Sequence, residues 1–578
     1  RDDVESRGLG DVYKRQSEDG ENWSDDYIAD MAEGECFQWK YLTPSYMGKD
    51  KYGNDKRFFY SQPIKFSARY VRITSQQIGL KMNEAIFQDA NGDRIPATVI
   101  AQLNVMEEST LYSDANNILD EQDTLEGLPS WWNSTYFDEI YHARTAYEHL
   151  HGTAPYETSH PPLGKVIMSL GIAIFGMVPF GWRVMGALAG ILMLPAMYLL
   201  GKQLTKKSSF AFAAALMLAL DCQHFTQTRI ATIDSYPVLF ILFSWLFMLR
   251  FMQRDIVRLP VKKLLPDLAL SGLFMGLGIA SKWIGVYSCA GLAVAFFWTI
   301  FRHMRMAATS AHLLKTDKSL SDEDRKILTL RDQTTMKRVL VICLWCLLFF
   351  VAIPLAIYLL SYIPYFAYAH FDNLKDYLTA VWNAQLSMFS YHSKPGLGMD
   401  HPFYSPWYEW LFNQRPMYYA SPTYVNTPGW SYTIWCFGNP AIWSAALVGF
   451  AYTVFMWAKR HRYTLRKDGE TLHWTAADWD VTMPFLLLSA LSQFLPWVLV
   501  PRGTYIYHYF ATTPFLMLSI TVLFRDITRR FPKTGKWLLG IFLGVCLVMF
   551  VAYFPYASGA LTPTWWLDFM EQFLRIYY

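Results

Sequence analysis

From Leu163 onward, long apolar runs alternate with short charged ones, whereas residues 1–160 hold no apolar run of more than a few residues. About 20 residues of helix are needed to cross a ~30 Å hydrocarbon layer. On that basis spanning helices are predicted at 184–201, 209–223, 233–252, 267–282, 283–301, 339–363, 440–458, 482–500, 506–524 and 536–556, about 10 spans in all. The 209–223 run is short for a crossing. Leu163–Gly181 follows Pro161 and Pro162, contains Pro179, and is rich in glycine, so it is predicted as a helix lying on the membrane surface. Residues 17–98 carry strand and turn signals instead. SEDGENW (Ser17–Trp23) has the Asp-Gly turn that joins hairpin strands, ARYVRI (Ala68–Ile73) alternates, and NEAIFQ leads into the turn Asp89–Pro96.

Composition agrees with two unlike parts. The chain of 578 residues is 53% hydrophobic and 17% charged, yet its mean hydropathy is only +0.12. A net charge of +3 argues against a nucleic-acid partner, and seven Cys residues in an apolar chain supply no disulfide framework. Cys343-x-x-Cys346 lies inside an apolar helix and is read as packing. The distribution of charge says more than its sum. Of the 51 Lys and Arg residues, 27 fall in 202–207, 250–263, 302–338, 459–467 and 525–536, five alternate loops. The positive-inside rule makes that face cytoplasmic. The loops around 224–232, 364–439 and 501–505, the tail 557–578 and residues 17–160 are then extracytoplasmic, which implies a span or signal upstream of residue 1. Asp11–Gln16 reads DVYKRQ, whose back-translation resembles a transposon end used in sequencing libraries. Residues 1–16 are therefore expected to be adapter read-through.

The expected organisation is 17–100 a partial β-sandwich, 101–133 a linker, and 134–183 a catalytic outer loop with juxtamembrane helices. After these come 184–363 and 440–578 as the two membrane parts, with 364–439 a large outer loop between them. The order S-x-D-G-x-x-W, F-x-A-R-Y-V-R-I, E-A-x-F in the first part resembles discoidin-like sandwiches, which implies a glycan or lipid ligand.

Candidate chemistry clusters on the outer face. Asp138 and Glu139 open an amphipathic helix, and adjacent helical acids point about 100° apart, so one can face a cavity while the other orients it. Near the same face fall His160 and Lys165 in HPPLGK, Arg183, Lys282 in GIASKWIG, and Arg502. Asp221, Gln227, Arg229 and Asp234 lie in LDCQHFTQTRIATIDS, and Tyr505, His508 and Tyr509 come soon after Arg502. Charges at the hydrocarbon cost roughly 2.5–3.5 kcal/mol each on insertion scales, so such a group needs a function. A transporter would scatter them toward the midplane, whereas one face suits an enzyme on a lipid-linked substrate. The spacing of His142, His149, His151 and His160 matches no metal ligand set, so no metal and no cofactor are expected.

FDE, HPPLGK, GWRVMGALAG, LDCQHFTQTRIATIDS, GIASKWIG, Gln385–Trp410 and Pro501–Phe515, in this order over about 130–556, resemble the protein O-mannosyltransferases, glycosyltransferases of the GT-C fold. The resemblance implies a polytopic α-helical membrane enzyme with one further span, and, without a MIR domain in its outer loop, a bacterial type. It implies transfer of mannose, with inversion, from polyprenyl-phosphate-mannose to Ser or Thr hydroxyls of secreted polypeptides. Asp138 would then be the base and Glu139 a positioning acid. Arg183, Lys282 and Arg502, with His160 and Lys165 behind them, would hold the donor phosphate. Asp221, Arg229, Asp234, His392, His401, Tyr505 and His508 would lie near acceptor or sugar, and Trp407, Tyr408 and Trp410 would line an acceptor groove. Trp131, Trp132, Trp565 and Trp566 are expected as interfacial anchors. Two other readings stay open: a GT-C transferase moving another lipid-linked sugar to a lipid or glycan, and a non-catalytic membrane-anchored glycan-binding protein.

Overall fold

The computed structural model describes residues 127–422, 427–459 and 480–574 throughout, with shorter pieces of 11–124, Val425 and 465–474. In the first part, β1 (Asp11–Ser17) is the centre of a three-stranded antiparallel sheet between β2 (Tyr27–Asp30) and β5 (Tyr70–Ser75). β3 (Ser45–Lys49) and β4 (Asp55–Phe59) form a separate hairpin. The Asp-Gly turn lies between β1 and β2. Gly20 has φ +82°, and the Asp19 carboxylate accepts the Glu21 and Asn22 amides at 2.9 and 2.8 Å. The strand expected at NEAIFQ is not one over 84–88. A single bridge, Gln88 to Arg94, staples the turn at Gly92 instead. Residues 1–10 and much of the expected sandwich and linker lie outside the described residues.

The second part is a helical, multi-pass membrane protein. α1 (Glu139–His151) and α2 (Leu163–Phe175) precede α3 (Pro179–Thr205). α2 has 13 residues, too few at 1.5 Å per residue to cross, and it folds back on α3. Then come α4 (Ser208–Ala219), α5 (Cys222–Arg229), α6 (Ser235–Met252), α7 (Val261–Ser281) and α8 (Ile284–Thr316). α9 (Asp322–Leu347) runs through a π-helical stretch, Leu348–Ala352, into α10 (Ile353–Tyr365). The π stretch sits where Pro354 removes a backbone donor. The large loop holds α11 (Leu374–Ser393) and a small sheet of β6 (Met417–Ala420) with β7 (Ile434–Cys436). α12 (Pro440–Lys459), α13 (Thr482–Phe494), α14 (Thr513–Arg530), α15 (Pro532–Ser558) and α16 (Thr564–Leu574) complete it.

Eight helices among the described residues are long and apolar enough to cross a membrane. The predictions at 209–223 and 506–524 need correction. The first run stops at Ala219, because Asp221 starts the separate helix α5 by accepting the His224 amide at 3.3 Å. The second begins as a tight turn over Ile506–Ala511, and α14 starts only at Thr513 and ends in Arg525, Asp526, Arg529 and Arg530. α14 is nonetheless buried through Val522, so it forms the inside of the bundle.

α7 and α8 meet at a tight corner, Lys282–Trp283, where Lys282 is extended (φ −162°) and the Gly285 amide donates to its carbonyl at 3.0 Å. A Cβ on Gly285 would lie 2.5 Å from the Ile279 nitrogen, so only glycine closes this bend.

Candidate active site

Two residues before α1, the backbone leaves its normal range: Phe137 has φ +50°, unusual for a residue with a Cβ. Aromatic packing holds it there, with its ring 4.4 Å from that of Tyr419 and 6.4 Å from that of Tyr507. The twist presents the two acids differently. Glu139 is fully buried and saturated. It takes the Arg183 Nε and Nη2 donors at 2.7 Å each, the Ala231 amide at 2.9 Å and the Tyr136 amide at 3.2 Å. Arg183 also donates to the Ser134 carbonyl at 2.8 Å. This fork-to-fork pair therefore ties α1 to α3 and to the chain before α6. Asp138 caps α1 by position yet makes no side-chain cap bond, and no cation pairs with it among the described residues. Burial raises its pKa to about 7, with the Asp234 and Glu157 charges adding and Lys282 opposing.

Around Asp138 the ionic groups are paired one to one. Lys282 donates to Asp234 at 2.7 Å, lies 5.9 Å from the Tyr507 ring, and keeps further N–H donors. Lys165 is fully buried and donates to the Glu157 carboxylate, to the Glu157 carbonyl at 2.9 Å and to the His160 carbonyl at 3.4 Å. Burial alone would raise the Glu157 carboxyl, but Lys165 and His160 hold it well below the usual range. Four histidines, His142, His160, His392 and His508, lie within electrostatic reach of Lys282. Burial pushes His142 and His392 down to about 4 and His160 well below 6.5, so these three rings are neutral near pH 7.

Arg502 has no carboxylate partner among the described residues, and it is partly buried on a braced loop. The Gly396 amide donates to the Pro501 carbonyl at 3.0 Å and the Gly503 amide to the Leu397 carbonyl at 2.7 Å. A Cβ on Gly503 would come 2.4 Å from the Gly398 carbonyl oxygen. The Tyr505 hydroxyl donates to that same carbonyl at 3.1 Å, and the His401 ring stands edge-on to Tyr505 at 5.3 Å. The large outer loop thus presents Arg502 to the site.

The expected residues therefore divide. Asp138, Asp234, Lys282, His160, His392, Tyr505 and His508 converge, with Arg502 and His401 on the adjoining loop. Others are corrected. Lys165, expected at the donor phosphate, is enclosed by Glu157, and Arg183 is committed to Glu139. Asp221 accepts from the Asn439 amide (2.8 Å) and Trp443 Nε1 (3.1 Å) besides capping α5, so it holds the fold and not a sugar. Arg229 donates to the Ser558 and Ala557 carbonyls at 2.6 and 3.1 Å, closing the end of α15. Trp131 is no exposed anchor: it packs on Arg229 and donates to the Gly559 carbonyl at 2.8 Å, whereas Trp132 and Trp565 are exposed. Trp410 is fully buried and bonds to Ser405, so it lines no groove. Phe137 in FDE and Tyr507 in Pro501–Phe515 lay in quoted motifs but were given no role, and Glu157 and Tyr419 were missed. Glu157 had a readable signal, an acid three residues before the histidine of HPPLGK.

An unpaired carboxyl that can take a proton near pH 7, beside cations with donors to spare, suits group transfer from an anionic leaving group. Known proteins agree. Residues 173–374 match the family described as dolichyl-phosphate-mannose-protein mannosyltransferase, and 377–570 match the C-terminal four-transmembrane region of protein O-mannosyltransferase. The chain is 25% identical over 447 residues to the polyprenol-phosphate-mannose–protein mannosyltransferase of Mycolicibacterium smegmatis (strain MKD8), covering 69% of this chain and 78% of that one. It is 25% identical over 453 residues to the enzyme of that name from Corynebacterium glutamicum, covering 70% and 78%. The fold is similar to that of the S. cerevisiae protein O-mannosyltransferase Pmt1-Pmt2 complex bound to its sugar donor, with TM-score 0.60, 12% identity, and 76% and 89% of the two chains covered. The two family matches together span more than half of the chain, which belongs to the protein O-mannosyltransferase family of GT-C glycosyltransferases.

Proposed function

We infer that this enzyme transfers mannose from polyprenyl-phosphate-mannose to a protein, taking Ser or Thr hydroxyls as acceptors. The observation that carries the reading is the unpaired Asp138 carboxyl, with its pKa of about 7, facing the Lys282 corner. The acceptor oxygen attacks the anomeric carbon, the bond from that carbon to the phosphate oxygen breaks, and the hydroxyl proton passes to Asp138. Lys282 and Arg502 take the charge that develops on the lipid phosphate. Glu139, Glu157 and Asp234 are each committed to a cation, so none of these three is free to share a two-step route with Asp138. A single displacement inverts the anomeric configuration.

The site is assigned to the extracytoplasmic face. Asp234 stands at the start of α6, whereas Arg250 near its end and Arg254 just beyond it belong to the opposite, basic end of the bundle, which the positive-inside rule places in the cytoplasm. Residues 17–160 then share the outer side. Within them, Arg72 stacks 3.9 Å from the Trp23 ring in a module read as discoidin-like with a glycan ligand. Glycan-array binding by the full chain, lost on Trp23→Ala, tests that role.

Incubation with polyprenyl-phosphate-mannose and a Ser/Thr-rich peptide is expected to give mannosylated peptide of inverted configuration. Product on lipid and never on peptide would favour another GT-C transferase, and full transfer by Asp138→Ala would remove the base assignment.

A further inference from the structure

Glu157 is the buried acid of this site that the transfer step leaves without a task. Beyond Lys165, its Oε1 accepts the Ser159 amide at 2.7 Å and the Ser159 hydroxyl. With that proton committed, Ser159 Oγ is left to accept from His160 Nδ1, 2.7 Å away, and Glu157 Oε1 itself lies 3.4 Å from that nitrogen. The Ser159 carbonyl accepts from His392 Nε2 at 2.7 Å, which seats the end of α11 on the same residue. The His160 and His392 rings stand edge to face at 5.1 Å. The base of the turn is braced as well, because the Glu157 amide donates to Thr145 Oγ1 at 2.9 Å and the Tyr156 amide to Glu148 at 2.6 Å.

We propose that Glu157 is a positioning residue of the transfer site, fixing the tautomer of His160 directly and through Ser159, and through Ser159 the docking of His392. A neutral His160 with its proton on Nδ1 offers the Nε2 lone pair, an acceptor suited to a sugar hydroxyl. A hydroxyl of the donor sugar placed this way holds the anomeric carbon in line with the acceptor oxygen that Asp138 deprotonates, so the effect belongs to the rate of transfer more than to donor capture. Glu157 has a second effect through space. Its negative charge faces Asp138 together with Asp234, against Lys282, while Lys165, His160 and His142 face Glu157 itself. Removing that charge makes Asp138 a stronger acid.

The inference rests on the mannosyl transfer reading, and both are tested on the full chain with polyprenyl-phosphate-mannose and a Ser/Thr peptide. Two neutral replacements of the buried pair avoid an uncompensated charge. Glu157→Gln with Lys165→Met keeps an acceptor for Ser159; about a threefold loss of kcat is expected, with the acid limb of the pH profile a few tenths of a unit lower. Glu157→Leu with Lys165→Met removes the acceptor and is expected to lower kcat by at least about tenfold, with donor KM and thermal unfolding close to those of the Gln pair. Ser159→Ala, which leaves Lys165 paired and the direct Glu157–His160 contact in place, is expected to fall between the two double variants in kcat. Equal kcat in the two double variants, or an acid limb unmoved in both, overturns the proposal. Failure of the underlying reading looks different: the unmodified enzyme then lacks an acid limb near pH 7, or Asp138→Asn still transfers mannose.

Discussion

The two ends of the membrane bundle use the same ionic chemistry in different proportion. At the site end, Glu139 pairs with Arg183, Glu157 with Lys165 and Asp234 with Lys282, and among the described residues Asp138 is left without a cation and Arg502 without an acid. At the other end, three carboxylates each serve two guanidinium groups: Asp267 takes Arg250 and Arg254, Asp255 takes Arg258 and Arg331, and Asp526 takes Arg525 and Arg529. There the surplus is positive. Pairing at each end lowers the cost of burying charge, and the remainder differs: one carboxyl and one guanidinium at the site end, an excess of guanidinium groups at the other.

The largest effect should come from the acid left over. Asp138→Asn is expected to lower kcat by about 10²–10⁴-fold, measured as peptide mannosylation, because a general base contributes about that much. Its stability should move the other way. The folded pKa of Asp138, about 7, lies above its ordinary 3.8, so its contribution to stability is present below pH 4 and is lost as pH rises to 7. Asp138→Asn is therefore expected to raise Tm at pH 8 and to leave it nearly unchanged at pH 4, read by thermal unfolding in detergent. Rising activity through about pH 7 in the unmodified enzyme reports the same group.

Breaking a pair at the site end should rank next. Glu139→Gln leaves the Arg183 guanidinium buried without its counter-charge and with two of its three acceptors, at a cost of about 3–5 kcal/mol in unfolding free energy. Arg183→Met added to Glu139→Leu should recover part of that loss. Gly503→Ala should act on the donor, since its Cβ meets the Gly398 carbonyl and displaces Arg502. A rise in donor KM of about tenfold, equal to 1.4 kcal/mol, is expected with little change in Tm. The smallest effect belongs to the basic end. In Asp267→Asn, Arg250 and Arg254 are 43% and 29% exposed and can turn to water, so about 1 kcal/mol or less of stability and no change in kcat are expected. A large loss of transfer from Asp267→Asn would erase the contrast between the ends.

Much of the fold was legible because a span is a local property: twenty apolar residues announce themselves without a partner. The two misplaced spans failed for a local reason too. Asp221 ends one apolar run by capping α5, and the turn over Ile506–Ala511 delays α14. The site was harder to read. Asp138 and Lys282 were visible as charges placed where charge is costly. Arg183, Lys165, Asp221 and Arg229 gave the same signal, and nothing in their spacing distinguished a group that meets substrate from one that meets another segment.

Linear order was enough for the number and direction of most helices, because apolar length and the side on which Lys and Arg accumulate are sums over neighbours in the chain. Which charge is spent and which is free is a matter of contact between residues far apart: Glu139 with Arg183 and Ala231, Lys282 with Asp234, Arg502 with no acid among the described residues. Asp138 and Glu139 are adjacent acids at the head of one helix, and they differ because the fold brings a guanidinium to the second and none to the first.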